Sequence, residues 1–197
     1  MKYWSQGNFV YGLIYLLIRG MKKIKTLLST FFYRSVMKSC GVNVTFGADT
    51  YIDNINNIKV GNNCKIGAHC TLISEKANGL LTISDNVQIS DYIEVDYSGN
   101  VYIGEDSLLS SKVRIFTHDH GYNPHSVPEY FSLHIGKNVW IGYGAIILPK
   151  TKMIGDNSVI AAGAVVTKPV QAGTIIGGNP ARVIRMINDG VITHDQA

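Results

Sequence analysis

From residue 46 onward, an apolar residue recurs every six positions, and small or polar residues fill most of the places between. Typical six-residue units begin at Val60, Ile66, Ile103, Ile141 and Ile160. This period is the pattern of a parallel β-helix, in which each short strand turns one apolar residue inward and the next coil stacks an equivalent residue above it. The pattern therefore predicts an all-β solenoid over residues 44–187.

The second position of the unit is often glycine, and the chain has 20 glycines in 197 residues, above the usual ~7%. We expect Gly, Asn or Asp at the corners of the coil, where the backbone often needs a positive φ. Cys64 and Cys70 fall at the same position of consecutive units. They are therefore predicted to be small buried ladder residues and not catalytic thiols.

The six-residue lattice is interrupted in several places, and the longest interruption runs from Ile115 to Ile135. Shorter ones separate Leu72 from Ile83 and Val95 from Ile103, and one extra residue follows Ile147. We predict an excursion loop over residues 116–134, and long loops on rigid repeats are frequent functional sites. The loop contains His118, His120, His125 and His134.

Residues 1–43 are predicted to form a basic amphipathic helical arm. Residues 1–48 hold seven basic residues and no acidic one, and the apolar run Phe9–Ile18 is too short to span a bilayer. The arm could touch a membrane surface through residues 1–38, pack on its own domain or pack on a neighbouring subunit. The rest of the chain has 18 − 7 = 11 basic and 14 acidic residues, which argues against a nucleic-acid partner.

Three cysteines without a CxxC motif indicate a reduced, cytoplasmic setting. If the arm touches lipid, the protein would be peripheral at the inner face of the membrane. Residues 188–197 are predicted to be a short C-terminal tail.

Four segments carry a family resemblance: Thr117–Gly121 (THDHG), Ile135–Pro149 (IGKNVWIGYGAIILP), Ile154–Val170 (IGDNSVIAAGAVVTKPV) and Gly177–Arg185 (GGNPARVIR). With these segments the chain resembles the hexapeptide-repeat, left-handed β-helix acyltransferases, and within them the sugar O-acetyltransferase branch. The resemblance implies a left-handed parallel β-helix and a homotrimer whose active sites lie between subunits. It also implies acetyl-CoA as co-substrate, with no metal, and direct transfer to a sugar hydroxyl in surface polysaccharide or lipid-linked glycan synthesis.

A loop histidine would be the general base, because imidazole takes up a proton near neutral pH. The family spacing favours His120 over His118, and His118 would then orient substrate or hold the loop. Asp119 would fix an imidazole tautomer or cap the turn. Trp140 would either contact a neighbouring subunit or line the substrate pocket. The positions matching the family's CoA contacts are Tyr143, Ala162, Thr167, Lys168, Arg182 and Arg185.

Three other functions remain open from the sequence. A soluble sugar, an amino sugar or an antibiotic could be the acceptor. A zinc hydro-lyase of the gamma-type carbonic anhydrase kind could use His69, His120 and His125 as metal ligands. A scaffold without catalytic activity would neither bind nor turn over acetyl-CoA.

Overall fold

The computed structural model describes residues 9–187, so the predicted tail 188–197 and the first eight residues of the arm lie outside the described residues. A helix, α1 (Phe9–Val36), leads into a solenoid of short parallel strands. The predicted β-solenoid is therefore confirmed, whereas the left-handed sense of its coil stays a prediction. The solenoid begins at Ser39, earlier than residue 44, because Ser39 and Cys40 already pair with the strand of the next coil.

Three sheets form the three sides of the solenoid, and all their strand pairs are parallel except β21 with β22. The first sheet holds β1 (Ser39–Cys40), β4 (Ile58–Val60), β7 (Leu81–Ile83), β10 (Val101–Ile103), β15 (Leu133–Ile135) and β18 (Met153–Ile154). The second holds β2 (Thr45–Phe46), β5 (Lys65–Ile66), β8 (Gln88–Ile89), β11 (Leu108–Leu109), β16 (Trp140–Ile141), β19 (Val159–Ile160), β21 (Thr174–Gly177) and β22 (Arg182–Met186). The third holds β3 (Tyr51–Ile52), β6 (Thr71–Ile73), β9 (Glu94–Asp96), β12 (Arg114–Ile115), β17 (Ile146–Ile147) and β20 (Val165–Val166).

The remaining elements lie outside these three sheets. Short 3-10 helices span Ile55–Asn57 and Pro149–Thr151. The predicted excursion loop contains an antiparallel hairpin of β13 (His118–Asp119) and β14 (Glu129–Tyr130). The loop rejoins the solenoid at Leu133.

The apolar residues of the six-residue units stack from coil to coil inside the solenoid. In the first sheet Val60, Ile83, Ile103, Ile135 and Ile154 are register partners in succession, and all five are buried. Burying such a column removes apolar surface from water along the whole length of the fold. The predicted inward positions are thus confirmed.

At the corners between sheets, some residues adopt a left-handed backbone conformation, and others are glycines that let neighbouring coils approach closely. In the first four coils, residues other than glycine adopt the left-handed backbone conformation. Between the first and second sheets these residues are Asn43, Asn63, Asn86 and Asp106. These four side chains also hydrogen-bond one another in a ladder. The expectation of Asn or Asp at the corners is confirmed at these four positions, and in later coils glycine also supplies a positive φ, at Gly144, Gly163 and Gly173.

Most glycines of the six-residue units meet a steric requirement instead. A Cβ on Gly67 would lie 2.4 Å from the backbone carbonyl carbon of Ser90, one coil further along. The absence of a side chain therefore lets consecutive coils approach each other closely.

The two ends of the solenoid differ. At the last coil, β22 turns back antiparallel to β21. At the first coil, α1 packs near β2, where Tyr33 and Met37 join the buried core. Within residues 9–187, no helix combines the length and the apolar character needed to cross a bilayer.

Candidate active site at a corner of the solenoid

The chain leaves the coil stack repeatedly at one corner, between the third and the first sheet. Residues 74–80 follow β6, residues 97–100 follow β9, and the long loop follows β12. Because these strands are neighbours in one sheet, the three departures lie beside one another. We call this region the histidine corner.

The buried acceptor of the histidine corner is Asp96, which is 3% exposed. Its Oδ1 accepts hydrogen bonds from the backbone N–H and the hydroxyl of Ser98. Its Oδ2 accepts the N–H of Thr117 at 2.8 Å. Burial by itself would raise the pKa of Asp96, but the hydrogen bonds from Ser98, Thr117 and His118 outweigh it and hold the pKa below its usual range. Asp96 is therefore an ionised acceptor at neutral pH.

His118 is oriented by that carboxylate. Its Nδ1 lies 2.8 Å from Oδ2 of Asp96, and an ionised carboxylate can only accept a hydrogen bond. The proton of a neutral His118 ring must then sit on Nδ1, which leaves the lone pair on Nε2. The Nε2 atom lies 3.7 Å from Oε1 of Glu75, on the exposed side of the corner.

His120 lies beside His118, one residue beyond the end of β13. The two rings are perpendicular, with centroids 5.4 Å apart. His120 Nδ1 donates to the backbone carbonyl of Ser126 at 2.9 Å, and the Ser126 hydroxyl donates to the His120 carbonyl. His120 is therefore held by the loop itself, whereas His118 is held by the solenoid.

Asp119 serves the turn. Its Oδ1 accepts the N–H of Gly121 at 2.8 Å, and Oδ2 lies 3.5 Å from Nζ of Lys150. The Gly121 hydrogen bond, together with Lys150, lowers the pKa of Asp119. Of the two roles expected for Asp119, the geometry favours capping the turn. The residue that orients an imidazole is Asp96.

Glu75, His118 and His120 form a cluster whose ligand-type atoms all lie within 4.8 Å of one another. The zinc site considered from the sequence is a different set, and the structure does not assemble it. His69 lies at the corner between the second and third sheets, stacked on Tyr92 at 4.7 Å. His125 lies near the tip of the hairpin. Within one chain, the three zinc ligands considered from the sequence are therefore not brought together.

Two of the predicted CoA residues occupy that other corner, between the second and third sheets. Tyr143 and Ala162 stand there on consecutive coils, linked by the hydrogen bond from Gly163 N to the Tyr143 carbonyl at 2.8 Å. Lys112, one coil earlier, places its ammonium 5.3 Å from the centre of the Tyr143 ring. We call this column of residues the tyrosine corner.

Three further predicted residues meet at the end of the solenoid. Thr167, Lys168 and Arg182 line one surface cleft of about 400 Å³. Arg185 lies on β22, where it is the register partner of Ile175. The cleft thus offers two of the three predicted cations to an anionic ligand.

Trp140 lies outward on the second sheet, between Leu108 and Val159 of the adjacent strands. Its indole N–H donates to the hydroxyl of Ser110 at 3.0 Å. Since the histidines follow the third sheet, Trp140 and the histidine corner lie on different sides of the solenoid. Either of its predicted roles is compatible with this exposed position.

Asp96 and Glu75 are the site residues that the sequence did not identify. Each lies in or beside a short break in the six-residue lattice, at the same coil position as the long loop. The spacing of these breaks in the sequence could therefore have pointed to Glu75 and Asp96. It does so only once the breaks are known to lie at one corner of the solenoid.

Comparison with known proteins agrees with this architecture. The family model of bacterial transferase hexapeptide repeats matches residues 132–168, and that of the hexapeptide repeat of succinyl-transferase matches residues 39–73. The Escherichia coli lipopolysaccharide biosynthesis O-acetyl transferase WbbJ is 35% identical over 151 residues, which cover 70% of this chain and 76% of that protein.

Two solved structures share the fold. A point mutant of the N-acyltransferase AntD of Bacillus cereus, in complex with dTDP and coenzyme A, superposes with a TM-score of 0.71 at 22% identity and covers 79% of this chain and 87% of its own. A galactoside acetyltransferase in complex with coenzyme A gives a TM-score of 0.55 at 30% identity, over 80% of this chain and 68% of that one. With its repeats, its coil architecture and these similarities, the chain belongs to the hexapeptide-repeat acyltransferase family.

Proposed function

We propose that the protein transfers an acetyl group from acetyl-CoA to a sugar hydroxyl, and that His118 is the general base. The observation that carries the proposal is the buried, ionised Asp96, which holds Nδ1 of His118 and leaves Nε2 free to accept a proton. The relative named for lipopolysaccharide O-acetylation and the CoA complex of a galactoside acetyltransferase support the class of reaction.

The chemistry needs one base and one oxyanion donor. His118 Nε2 takes the proton from the acceptor hydroxyl as its oxygen attacks the thioester carbonyl carbon. A backbone N–H near the corner would stabilise the tetrahedral oxyanion. When the intermediate collapses, the C–S bond breaks and the imidazolium returns its proton to the thiolate. The products are the acetyl ester and free CoA, with no acyl-enzyme.

The choice of His118 reverses the order that the sequence favoured. A carboxylate behind the imidazole stabilises the imidazolium that forms during proton transfer, whereas a neutral carbonyl does so less. His118 has the carboxylate of Asp96, and His120 has the carbonyl of Ser126. In this arrangement His120 positions the acceptor beside the base.

The positions of the predicted residues support a trimer with shared sites. Tyr143 and Ala162 occupy the tyrosine corner, whereas His118 occupies the histidine corner, and one side of the solenoid separates the two. Three copies packed side by side would bring the histidine corner of one subunit against the tyrosine corner of the next. CoA would then lie between subunits, with its phosphates near Lys168, Arg182 and Arg185.

The acceptor is proposed to be a sugar of a surface polysaccharide or its lipid-linked precursor. A soluble sugar or amino sugar is the neighbouring alternative, since AntD is an N-acyltransferase with a dTDP ligand. The two alternatives use the same base and the same donor. They differ only in what fills the acceptor side of the histidine corner.

The test is release of free thiol from acetyl-CoA with a panel of sugar acceptors. We expect His118→Ala to lower kcat by on the order of 10²–10⁴-fold, and His120→Ala to act mainly on the acceptor KM. His134→Ala is the matched control, because His134 is an exposed histidine of β15 in the first sheet, where it stacks on Tyr102.

Two outcomes would change the proposal. If His120→Ala is inactive and His118→Ala is active, the base is His120 and the transfer reaction stands. If the wild-type protein neither binds acetyl-CoA nor releases thiol with any acceptor, the proposed function is wrong.

A further inference from the structure

Helix α1 packs on the solenoid with its polar side. The hydroxyls of Ser29, Thr30 and Tyr33 donate to the carbonyls of Gly47, Phe46 and Thr50 at 2.9, 3.1 and 2.7 Å. These three side chains lie on one face of the helix, at positions i, i+1 and i+4. Amphipathic helices of globular domains usually turn an apolar face to the core, whereas α1 meets the first coil through these three hydroxyls and the buried ring of Tyr33.

The opposite side of α1 is an uncovered apolar surface. Six side chains recur at helical spacing along it, and each is between 51% and 75% exposed. We call them the outer stripe: Leu13, Leu17, Ile24, Leu27, Leu28 and Phe31. Contiguous exposed apolar surface of this kind marks a site of interaction with a protein or a membrane.

The charges on α1 identify the kind of partner. The helix carries five cations and no acidic residue. At 100° per residue, Lys23 and Arg34 fall beside one edge of the outer stripe. Lys22 and Lys25 instead face the first coils of the solenoid, where Nζ of Lys25 lies 3.6 Å from Oδ2 of Asp49. Lys and Arg that flank an apolar face extend their ammonium and guanidinium groups to lipid headgroups while their stems cover apolar surface.

We infer that α1 lies in the plane of an anionic membrane surface, with the outer stripe among the acyl chains and the flanking cations at the phosphates. This arrangement needs a polar side for the helix to hold the rest of the protein, and Ser29, Thr30 and Tyr33 provide it. The solenoid would then stand on the side of the helix that faces away from the lipid.

A second copy of the helix fits the stripe less well. Two α1 helices packed stripe to stripe would bring two sets of flanking cations together without an acidic residue in either helix, and like charges repel. An anionic lipid surface complements those charges. The inference does not depend on the reaction that the histidine corner performs.

The test is flotation of the full-length protein with vesicles in a density gradient. We expect it to float with vesicles of phosphatidylcholine and phosphatidylglycerol, to float less with phosphatidylcholine alone, and to be released by salt. Phe31→Glu should lower the partition coefficient by about tenfold. Met153→Glu is the matched control, because it adds the same charge at an exposed apolar residue of the first sheet.

Circular dichroism and the melting temperature would establish that both variants fold. The inference is overturned if the wild-type protein stays in solution with anionic vesicles. It is also overturned if Phe31→Glu leaves flotation unchanged but reduces the mass of the oligomer, since a second copy would then cover the outer stripe.

Discussion

His118 Nδ1 lies 2.8 Å from Oδ2 of Asp96, although the two residues are 22 positions apart in sequence. The separation corresponds to one coil of the solenoid, since Asp96 ends β9 and His118 follows β12, the next strand of the third sheet. The solenoid thus places a buried carboxylate directly behind a loop imidazole, and Nδ1 of that ring ties the loop to the rigid part of the fold while Nε2 faces outward.

The first prediction concerns this pair in catalysis. Asp96→Asn should lower kcat by about 10²-fold and leave the KM for acetyl-CoA nearly unchanged. An amide cannot stabilise the imidazolium, and its NH₂ group would meet the donors of Ser98 and Thr117. Steady-state thiol release over a range of pH measures the effect. Asp156→Asn is the control, since Asp156 accepts a backbone N–H at a remote corner, and it should keep kcat within about threefold.

The second prediction concerns stability in acid. The folded pKa of Asp96 is held below its unfolded value of about 4, so the ionised form stabilises the native state. This contribution is complete above the unfolded pKa and is lost as the pH falls through the folded pKa. The difference in free energy of unfolding between wild type and Asp96→Asn should therefore be constant from pH 7 to about 5 and shrink below about 4.

Denaturant titrations at each pH would measure that difference. A difference that grows as the pH falls would show that Asp96 is protonated in the folded protein, contrary to the prediction.

The third prediction concerns the cysteines. Burial raises the pKa of Cys70 to about 11 and raises that of Cys64 as well, and both side chains are buried in the core. At pH 8 neither should react with Ellman's reagent in the native protein, because the thiolate is the reactive form. The unfolded protein should titrate all three cysteines. Cys40→Ala should abolish any thiol reactivity of the native state.

The fourth prediction concerns metals. Because Glu75, His118 and His120 are within reach of a common ion, added Zn²⁺ should inhibit by occupying the imidazole lone pairs. EDTA should restore activity, and Glu75→Gln should weaken the inhibition. Enzyme treated with EDTA and then dialysed should be fully active. A loss of activity that only Zn²⁺ restores would make the cluster a catalytic metal site and contradict the general-base mechanism.

The repeat made the fold predictable, and the limits of that prediction are physical. The six-residue spacing alone predicts that Ile103 and Ile141 point inward, because each side of a coil needs one apolar residue to fill the core. No sequence pattern distinguishes Asp96, which follows Val95 as one more polar residue. Only the stacking of the coils shows that it contacts His118.

For helix α1 the sequence predicted the element but not its orientation. Its composition and periodicity indicate an amphipathic helix with two faces, but they do not show which face contacts the solenoid. The hydroxyls of Ser29, Thr30 and Tyr33 decide this by reaching carbonyls of the first coil, a long-range match that the local pattern does not contain.

The last prediction tests close approach of the coils as the reason for glycine in the repeat. Gly104 is not in the left-handed region, and a Cβ there would lie 2.4 Å from the carbonyl oxygen of Gly136. Backbone of a neighbouring coil cannot move aside without breaking its own pairing. Gly104→Ala should therefore lower the free energy of unfolding by about 3 kcal/mol.

Gly20→Ala is the matched comparison, because no atom lies within 4 Å of a Cβ at Gly20 in α1. Alanine is a better helix former than glycine by about 1 kcal/mol, so this variant should be as stable as wild type or more so. Chemical denaturation followed by circular dichroism compares the two substitutions. If both variants unfold at the same denaturant concentration, close approach of the coils does not explain the glycines, and the repeat must require them for another reason.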